Sequence, residues 1–309
     1  MIAPVYKSLR LVLRWLARRV VFPLVERAWV AGFTLAGVLL RPSVRRIVPG
    51  GSERVLVIAP HPDDETLGCG GTIARHAGAG DRVCVLVVTD GGSSRAGGIG
   101  RDEMRRLREM EARRAVAALG RIELLQLGLP EGSWSPGDLQ ERLEDLLQRE
   151  RPTIIYAPSG GDFHPEHVKV AQVLARTLHA LRYVTHPKIR IYELQVPLTP
   201  VLADVAVEVG SWAAEKKARA LAQYETQQGS FGWVPRHAKY LRSLYRTTEP
   251  VEVFWELASE SYSRLMRFSV ESGKYRSIRL RPFGDGLAWL VGLNERRRLK
   301  RLVQERAME

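Results

Sequence analysis

Residues 54–59 read Arg-Val-Leu-Val-Ile-Ala, a continuous apolar run behind one cation. A strand with one wet face alternates polar and apolar residues. This run does not alternate, so both of its faces are covered. A parallel sheet sandwiched between helices meets that condition. The downstream pattern agrees. Helical texture over Thr66 to Ala79, Asp102 to Leu119, Leu139 to Gln148 and Val168 to Leu181 alternates with strand-like runs. Those runs are Arg82 to Thr89, Ile122 to Leu127, Thr153 to Ala157 and Ile189 to Leu194. Strand and helix in alternation build βαβ units. The expected class is α/β: a Rossmann-like, mostly parallel sheet flanked by helices, with basic amphipathic helices added at both termini. A chain of 309 residues can bury a full core of this kind.

Charge divides the chain into three. The net charge is +13, but residues 1–50 hold nine basic residues against one acid, and residues 264–309 hold twelve against five. The segment between them is therefore close to neutral. Two basic ends on a neutral body point to an anionic surface as partner. Lys7, Arg10, Arg14 and Arg18 share one helix face, with Leu9, Leu13, Leu16 and Val20 opposite and Trp15 near the boundary. Such a helix lies in a membrane interface. Pro23 ends or kinks it. The uncharged run from Ala28 to Leu40 is shorter than the roughly 20 residues a span needs, so an interfacial or shallowly inserted helical pair is expected. A secretory signal fits poorly, because no small-residue cleavage site follows the apolar run. Near the other end, Leu287 to Leu293 contains Trp289 and precedes Arg296-Arg297-Arg298-Leu299-Lys300-Arg301, a second basic surface element. The expected layout is a membrane-interface segment over 1–50, a catalytic body over 51–263 and a basic extension over 264–309. Nucleic acid is the lesser partner, since no reading motif accompanies the basic ends. The two cysteines form no disulfide framework and fit a reducing, cytoplasmic setting with peripheral or monotopic membrane attachment. Cys69 reads as a packing residue.

Chemistry concentrates at the ends of the strand-like runs. His61-Pro62-Asp63-Asp64-Glu65 follows the first, Asp90-Gly91-Gly92 the second, and Pro158-Ser159-Gly160-Gly161-Asp162 with His164-Pro165-Glu166-His167 the fourth. In open α/β sheets these carboxyl-end loops converge on the ligand. A dinucleotide fingerprint is disfavoured. Its glycines directly follow the strand, whereas Pro60 to Leu67 intervene before Gly68-Cys69-Gly70-Gly71, and Ile73 stands where a third glycine belongs. These glycines more simply allow a helix to pack close to the sheet. Histidines with carboxylates suit a catalytic zinc site, which uses three protein ligands and leaves one position open. Of two adjacent aspartates, one binds the ion while the other takes a proton from the attacking water and returns it to the leaving amine. A further histidine, protonated and held by a carboxylate, stabilises the oxyanion.

Pro60-His61-Pro62-Asp63-Asp64-Glu65-Thr66-Leu67-Gly68-Cys69-Gly70-Gly71-Thr72 resembles the first signature of the PIG-L/LmbE-like de-N-acetylase family. His164-Pro165-Glu166-His167 resembles the second, with glutamate where aspartate is usual. Thr89-Asp90-Gly91 and the stretch from Lys216 to Tyr224 are also similar, so the likeness covers roughly residues 51–230. The resemblance implies a zinc-dependent amidohydrolase, zinc being exchangeable for another divalent transition metal, that removes acetyl from an N-acetylglucosamine (GlcNAc) unit. By motif position it assigns His61, Asp64 and His167 to the metal, Asp63 to the general base and His164 to the oxyanion. Asp90, Asp162 and Glu166 become candidates to meet substrate or to orient a ligand, with Glu166 paired to His164.

His76, His179, His186 and His237 read as ordinary satisfied histidines. Trp212, Trp233 and Trp255 read as packing, and Trp134 as a candidate sugar platform. The expected activity is deacetylation of a GlcNAc-containing, lipid-linked substrate. The alternatives are a soluble deacetylase of a small glycoside or natural product, and a non-enzymatic membrane- or polyanion-binding protein on the same scaffold.

Overall fold

The computed structural model describes residues 42–94, 96–162, 164–182, 186–194 and 198–272, with isolated positions toward both ends. The amphipathic elements expected over residues 1–41 and 273–309 lie outside this range, apart from those isolated positions. Among the described residues no helix is long and apolar enough to cross a membrane.

Eight strands form one sheet. They are β1 (Arg45–Ile47), β2 (Arg54–Ala59), β3 (Arg82–Thr89), β4 (Glu123–Leu129), β5 (Ile154–Ala157), β6 (Lys188–Tyr192), β7 (Val205–Glu208) and β8 (Val251–Ala258). Seven α-helices flank it among the described residues: α1 (Asp64–Ala79), α2 (Arg101–Leu119), α3 (Pro136–Glu150), α4 (Pro165–Ala180), α5 (Gly210–Ala222), α6 (Val234–Tyr245) and α7 (Ser259–Ser272). The strand order is β1-β7-β8-β6-β5-β2-β3-β4. Five of the seven pairings are parallel, as expected; β8 runs antiparallel to both its neighbours.

The first strand behaves as its apolar run requires. Leu56 and Ile58 enter one core with Leu86, Ile155 and Leu174; Val55, Val57 and Ala59 enter the other with Val85, Ile73 and Ala112. All five are at most 3% exposed, and fully burying each Val, Leu or Ile side chain is worth about 1.5–3 kcal/mol. α1, α2 and α5 cover the second core, while α3, α4 and α7 cover the first.

Two departures from the sequence reading bear on the site. β1 lies inside the segment 1–50 and pairs with β7, so the sheet begins before residue 51; α7 likewise runs past residue 263. β7 and β8 add a further edge beyond residue 194. Chain direction also matters: the sheet grows outward from β2 toward β3 and β4 on one side, and from β5 toward β6 on the other. The loops after β2 and β5 therefore diverge and leave a crevice between them.

Candidate metal centre and active site

β2 ends at Ala59, and α1 starts five residues later. The turn between them places Asp63 at φ 127°, ψ −26°, a left-handed conformation in a non-glycine residue. Such strain costs on the order of 1–3 kcal/mol and persists only where surroundings enforce it. Several bonds do so here. The Asp63 N–H donates to Glu65 Oε2 (3.1 Å), Leu67 N–H donates to Asp63 O (2.8 Å), and Arg108 donates to Pro62 O. Glu65 is fully buried and also accepts from Thr66 and Tyr224 hydroxyls. His61 N–H donates to Asp64 Oδ2 at 2.9 Å.

β5, paired with β2 at Val57 and Tyr156, delivers the second cluster. A turn closed by Asp162 N–H to Ser159 O (3.2 Å) leads into α4, whose first turn starts at Pro165 and carries His167. Asp162 binds both sides of that turn: Oδ1 accepts from His164 N–H (3.0 Å) and Oδ2 meets His167 Nδ1 (2.9 Å). These bonds suit the orienting role expected of Asp162, which also lines the cavity described below.

The clusters meet at one point. His61 Nδ1 lies 3.1 Å from Asp64 Oδ2, His167 Nε2 lies 3.2 Å from the same oxygen, and the two nitrogens are 3.3 Å apart. In tetrahedral coordination with bonds of about 2.0–2.1 Å, donor atoms sit roughly 3.3–3.4 Å apart. The triangle therefore fits a zinc-sized ion without rearrangement, and its two-nitrogen, one-carboxylate donor set suits a borderline cation. His164 also brings a ring nitrogen within 4.8 Å of those of His61 and His167. The carboxylate-containing triangle is the better ligand set, because its atoms already stand at coordination spacing.

Electrostatics agrees. Burial opposes charge at both Asp64 and His167. Even so, His167 and His61 hold Asp64 well below the ordinary carboxylate range, while Asp64 and Asp162 hold His167 well above the ordinary imidazole range. The pocket is built to hold positive charge, and a metal ion would displace the His167 proton. Asp63 is different. Burial pushes its carboxyl up to about 7, against the pull of Arg108, whose Nη2 lies 3.2 Å from Oδ2.

Four expectations change. Burial, with His61 and His167 beside it, brings His164 down to about 4, so it is neutral near pH 7 rather than protonated. Glu166 does not face His164; its longer arm takes Gly132 N–H (3.1 Å) and the Trp134 indole N–H. Trp134, 3% exposed with Lys169 Nζ 3.7 Å from its ring centroid, is thus a buried anchor and no sugar platform. Asp90 uses Oδ1 for Gly92 N–H (2.9 Å) and Glu131 N–H (3.2 Å), which shapes the loop without entering the cavity. Cys69 is buried, with Sγ 3.4 Å from Glu65 O.

The site opens into a cavity of about 270 Å³. His61, Asp63, Asp64, His164 and His167 form its floor, and its walls include residues that the sequence did not single out for the site. Arg108 comes from α2. Glu131 Oε1 lies 3.6 Å from His61 Nε2. Gln227 and Trp233 come from a 3₁₀ segment, Glu225–Trp233, tied to α2 by Thr226 N–H and hydroxyl bonds to Glu111, each 2.8 Å. Trp233, read as packing, is a cavity wall. Its proximity to Tyr224, within the recognised stretch from Lys216 to Tyr224, is the nearest thing to a sequence signal.

The matches to known proteins fall on this framework. Residues 56–178 match the family PIG-L: GlcNAc-PI de-N-acetylase. A 1D-myo-inositol 2-acetamido-2-deoxy-alpha-D-glucopyranoside deacetylase of Saccharopolyspora erythraea is 33% identical over 156 residues, 39% of this chain and 52% of that protein. The chain thus spans about half the length of the curated relatives of that kind. An uncharacterized deacetylase, YaiS, of Escherichia coli is 31% identical over 134 residues, 40% of this chain and 69% of the relative. Among solved structures, the N,N'-diacetylchitobiose deacetylase of Pyrococcus horikoshii superposes with a TM-score of 0.57 at 20% identity, covering 67% of this chain and 85% of that one. A 4-carboxy-2-hydroxymuconate hydratase, GalB, of Pseudomonas putida has the same score and identity, covering 66% and 95%; at this distance the likeness concerns the fold alone. Family membership rests on the sequence matches, and the family match over residues 56–178 includes every residue of the donor triangle: the chain belongs to the PIG-L family of de-N-acetylases.

Proposed function

We propose that the protein is a metal-dependent hydrolase that removes acetyl from the nitrogen of a GlcNAc-containing substrate. The observation that carries this reading is the donor triangle of His61, Asp64 and His167 beside a buried carboxyl at Asp63 that is paired with Arg108 and lines the cavity. A zinc or similar divalent ion held by that triangle supplies Lewis acidity and lowers the pKa of water toward ~7. The chain's own groups do the rest. Asp63, with its pKa near neutrality, takes a proton as water oxygen bonds to the acetyl carbon. Arg108 keeps its carboxylate aimed at the cavity. Neutral His164 donates a ring N–H to the carbonyl oxygen as charge develops. Asp63 then returns the proton to the nitrogen as the C–N bond breaks, leaving acetate and a free amine.

The finer reading is that the substrate is lipid-linked and is met at an anionic membrane surface from the cytoplasmic side. The basic residues toward the two ends, within 1–50 and 264–309, support it, flanking a catalytic body that itself takes in β1 and α7. Sedimentation of the full chain with anionic vesicles at low salt tests that part; a protein left in the supernatant refutes it.

For the chemistry, acetate release is measured across N-acetylglucosaminides. Asp63→Ala retains metal and loses about 10²–10⁴-fold in turnover, whereas His61→Ala loses metal as well. Full activity in Asp63→Ala overturns the base assignment. Absence of acetate release from every GlcNAc glycoside overturns the function.

A further inference from the structure

A second cavity, of about 210 Å³, lies between α5 and α6 over β8. It shares two walls, Leu67 and Trp233, with the metal-side cavity. Its charged neighbours are already paired: Lys217 Nζ with Glu252 Oε1 at 2.6 Å, and His237 Nε2 with Glu193 Oε1 at 2.5 Å. Glu193 is further occupied by Leu198 N–H (2.6 Å) and Thr199 N–H (2.9 Å). What remains to face a ligand is hydrocarbon, chiefly Val209, Leu221, Val234, Leu241 and Val253. At the junction stands one polar atom with no partner. The Trp233 indole nitrogen is buried and makes no hydrogen bond among the described residues. An unmet buried donor costs about 1–3 kcal/mol, so this one calls for an acceptor from a bound molecule.

We infer that this groove receives the hydrocarbon part of the substrate's aglycone, while the N-acetyl sugar occupies the metal-side cavity. The inference rests on the deacetylase reading and narrows its substrate to glycosides with an alkyl-bearing aglycone. The chain leaving the glycosidic oxygen passes between Leu67 and Trp233, and an oxygen at that point accepts the indole N–H. A polyhydroxylated or phosphorylated aglycone finds no free polar partner in the groove, and burying such groups unpaired is unfavourable. A dry, concave, mostly apolar pocket beside a polar one is how sites orient amphiphilic ligands.

The test uses the full-length, metal-loaded protein and N-acetylglucosaminides with methyl, butyl and hexyl aglycones. Both kcat/KM and equilibrium affinity are measured. Ala218 and Ala238 line the groove at exposed positions, so Ala218→Trp and Ala238→Trp plug it without touching the catalytic floor. In the wild-type protein each methylene that enters is worth about fourfold in affinity, and the gain levels off once the groove is full. In both plugged variants the gain from methyl to hexyl collapses to within about twofold, while the methyl glycoside is turned over as in the wild type. Trp233→Phe weakens all three ligands alike and leaves the chain-length gain in place. Equal affinity for methyl and hexyl in the wild-type protein overturns the inference. A chain-length gain that survives both plugs overturns it too. The two readings fail separately. Turnover of the methyl glycoside without chain-length dependence refutes the groove alone. Tighter, plug-sensitive binding of hexyl without acetate release refutes the deacetylase alone.

Discussion

Helix α1 is broken at Cys69, where φ is −148° and ψ is 25°. An unbroken helix would direct Gly71 N–H to Leu67 O and Thr72 N–H to Gly68 O. Instead, Gly71 N–H donates to Glu252 Oε1 (3.0 Å) and Thr72 N–H to Glu252 Oε2 (2.7 Å). The Leu67 carbonyl is taken by Lys217 Nζ (2.8 Å), which also meets Glu252 Oε1 at 2.6 Å. One ion pair thus splices the helix that begins with Asp64. Glu252 is 7% exposed, and the Lys217 side chain 18%. Glu252→Ala strands two buried N–H groups and one largely buried ammonium. Breaking a buried pair from one side costs about 3–5 kcal/mol, and stranding two donors at about 1–3 kcal/mol each gives a similar range. The two counts describe the same loss, so about 4 kcal/mol is expected. At roughly 2–4 °C per kcal/mol for a domain of this size, Tm falls by about 8–16 °C. Glu252→Gln keeps an acceptor oxygen and loses about half as much. Adding Lys217→Met to Glu252→Gln restores part of the loss, because the opposed charge is gone. The assay is urea and thermal unfolding with chelator present, so that metal linkage does not enter. A loss below about 1 kcal/mol in Glu252→Ala refutes the splice.

Other perturbations have equally specific outcomes. Asp162→Asn weakens the hold on His167 Nδ1 and lowers zinc affinity by about 10–100-fold, as read by competition with a chromophoric chelator; unchanged affinity refutes its orienting role. Gly68→Ala places a Cβ 2.6 Å from Tyr192 Cδ2 and costs about 1–3 kcal/mol by urea midpoint; a neutral substitution shows that the helix can retreat. Burial leaves His76 below its ordinary value of 6.5, with Nδ1 2.6 Å from Asp81 Oδ2 and Nε2 2.9 Å from the Tyr156 hydroxyl. The unfolded chain therefore binds the proton first as pH falls below 6.5. Stability drops with falling pH in that window by up to about 1.4 kcal/mol per pH unit. His76→Gln removes that part of the slope, and an unchanged slope between pH 6.5 and 5 refutes the assignment.

How far a sequence discloses such a molecule depends on the range of the forces involved. β2 and β3 were legible to the residue, because a strand covered on both faces is written as a local apolar run. The ligands were legible for a related reason. Each cluster directly follows a strand, and adjacency of β2 and β5 closes the distance between them. β7 and β8 are harder: β8 carries Glu252 and Glu256, two acids in an otherwise apolar run, and nothing nearby explains their burial. Glu256 takes Arg190 from β6 at 2.8 Å and Arg45 from β1 at 2.7 Å. Glu252 serves a helix break some 180 residues earlier in the chain. Arg108 and Trp233 are invisible for the same reason, since each becomes a site residue only through packing on distant segments. The glycines around Cys69 illustrate the boundary between the two cases. Close approach to the sheet was readable from their size, and a Cβ at Gly68 would indeed stand 2.6 Å from Cδ2 of Tyr192 in β6. The break was not readable, because an interrupted ladder is tolerable only where its orphaned groups find partners. Those partners sit on α5 and β8. A helix that looks continuous in sequence can therefore bend at its functional end only because remote charges were placed to receive the bonds it gives up.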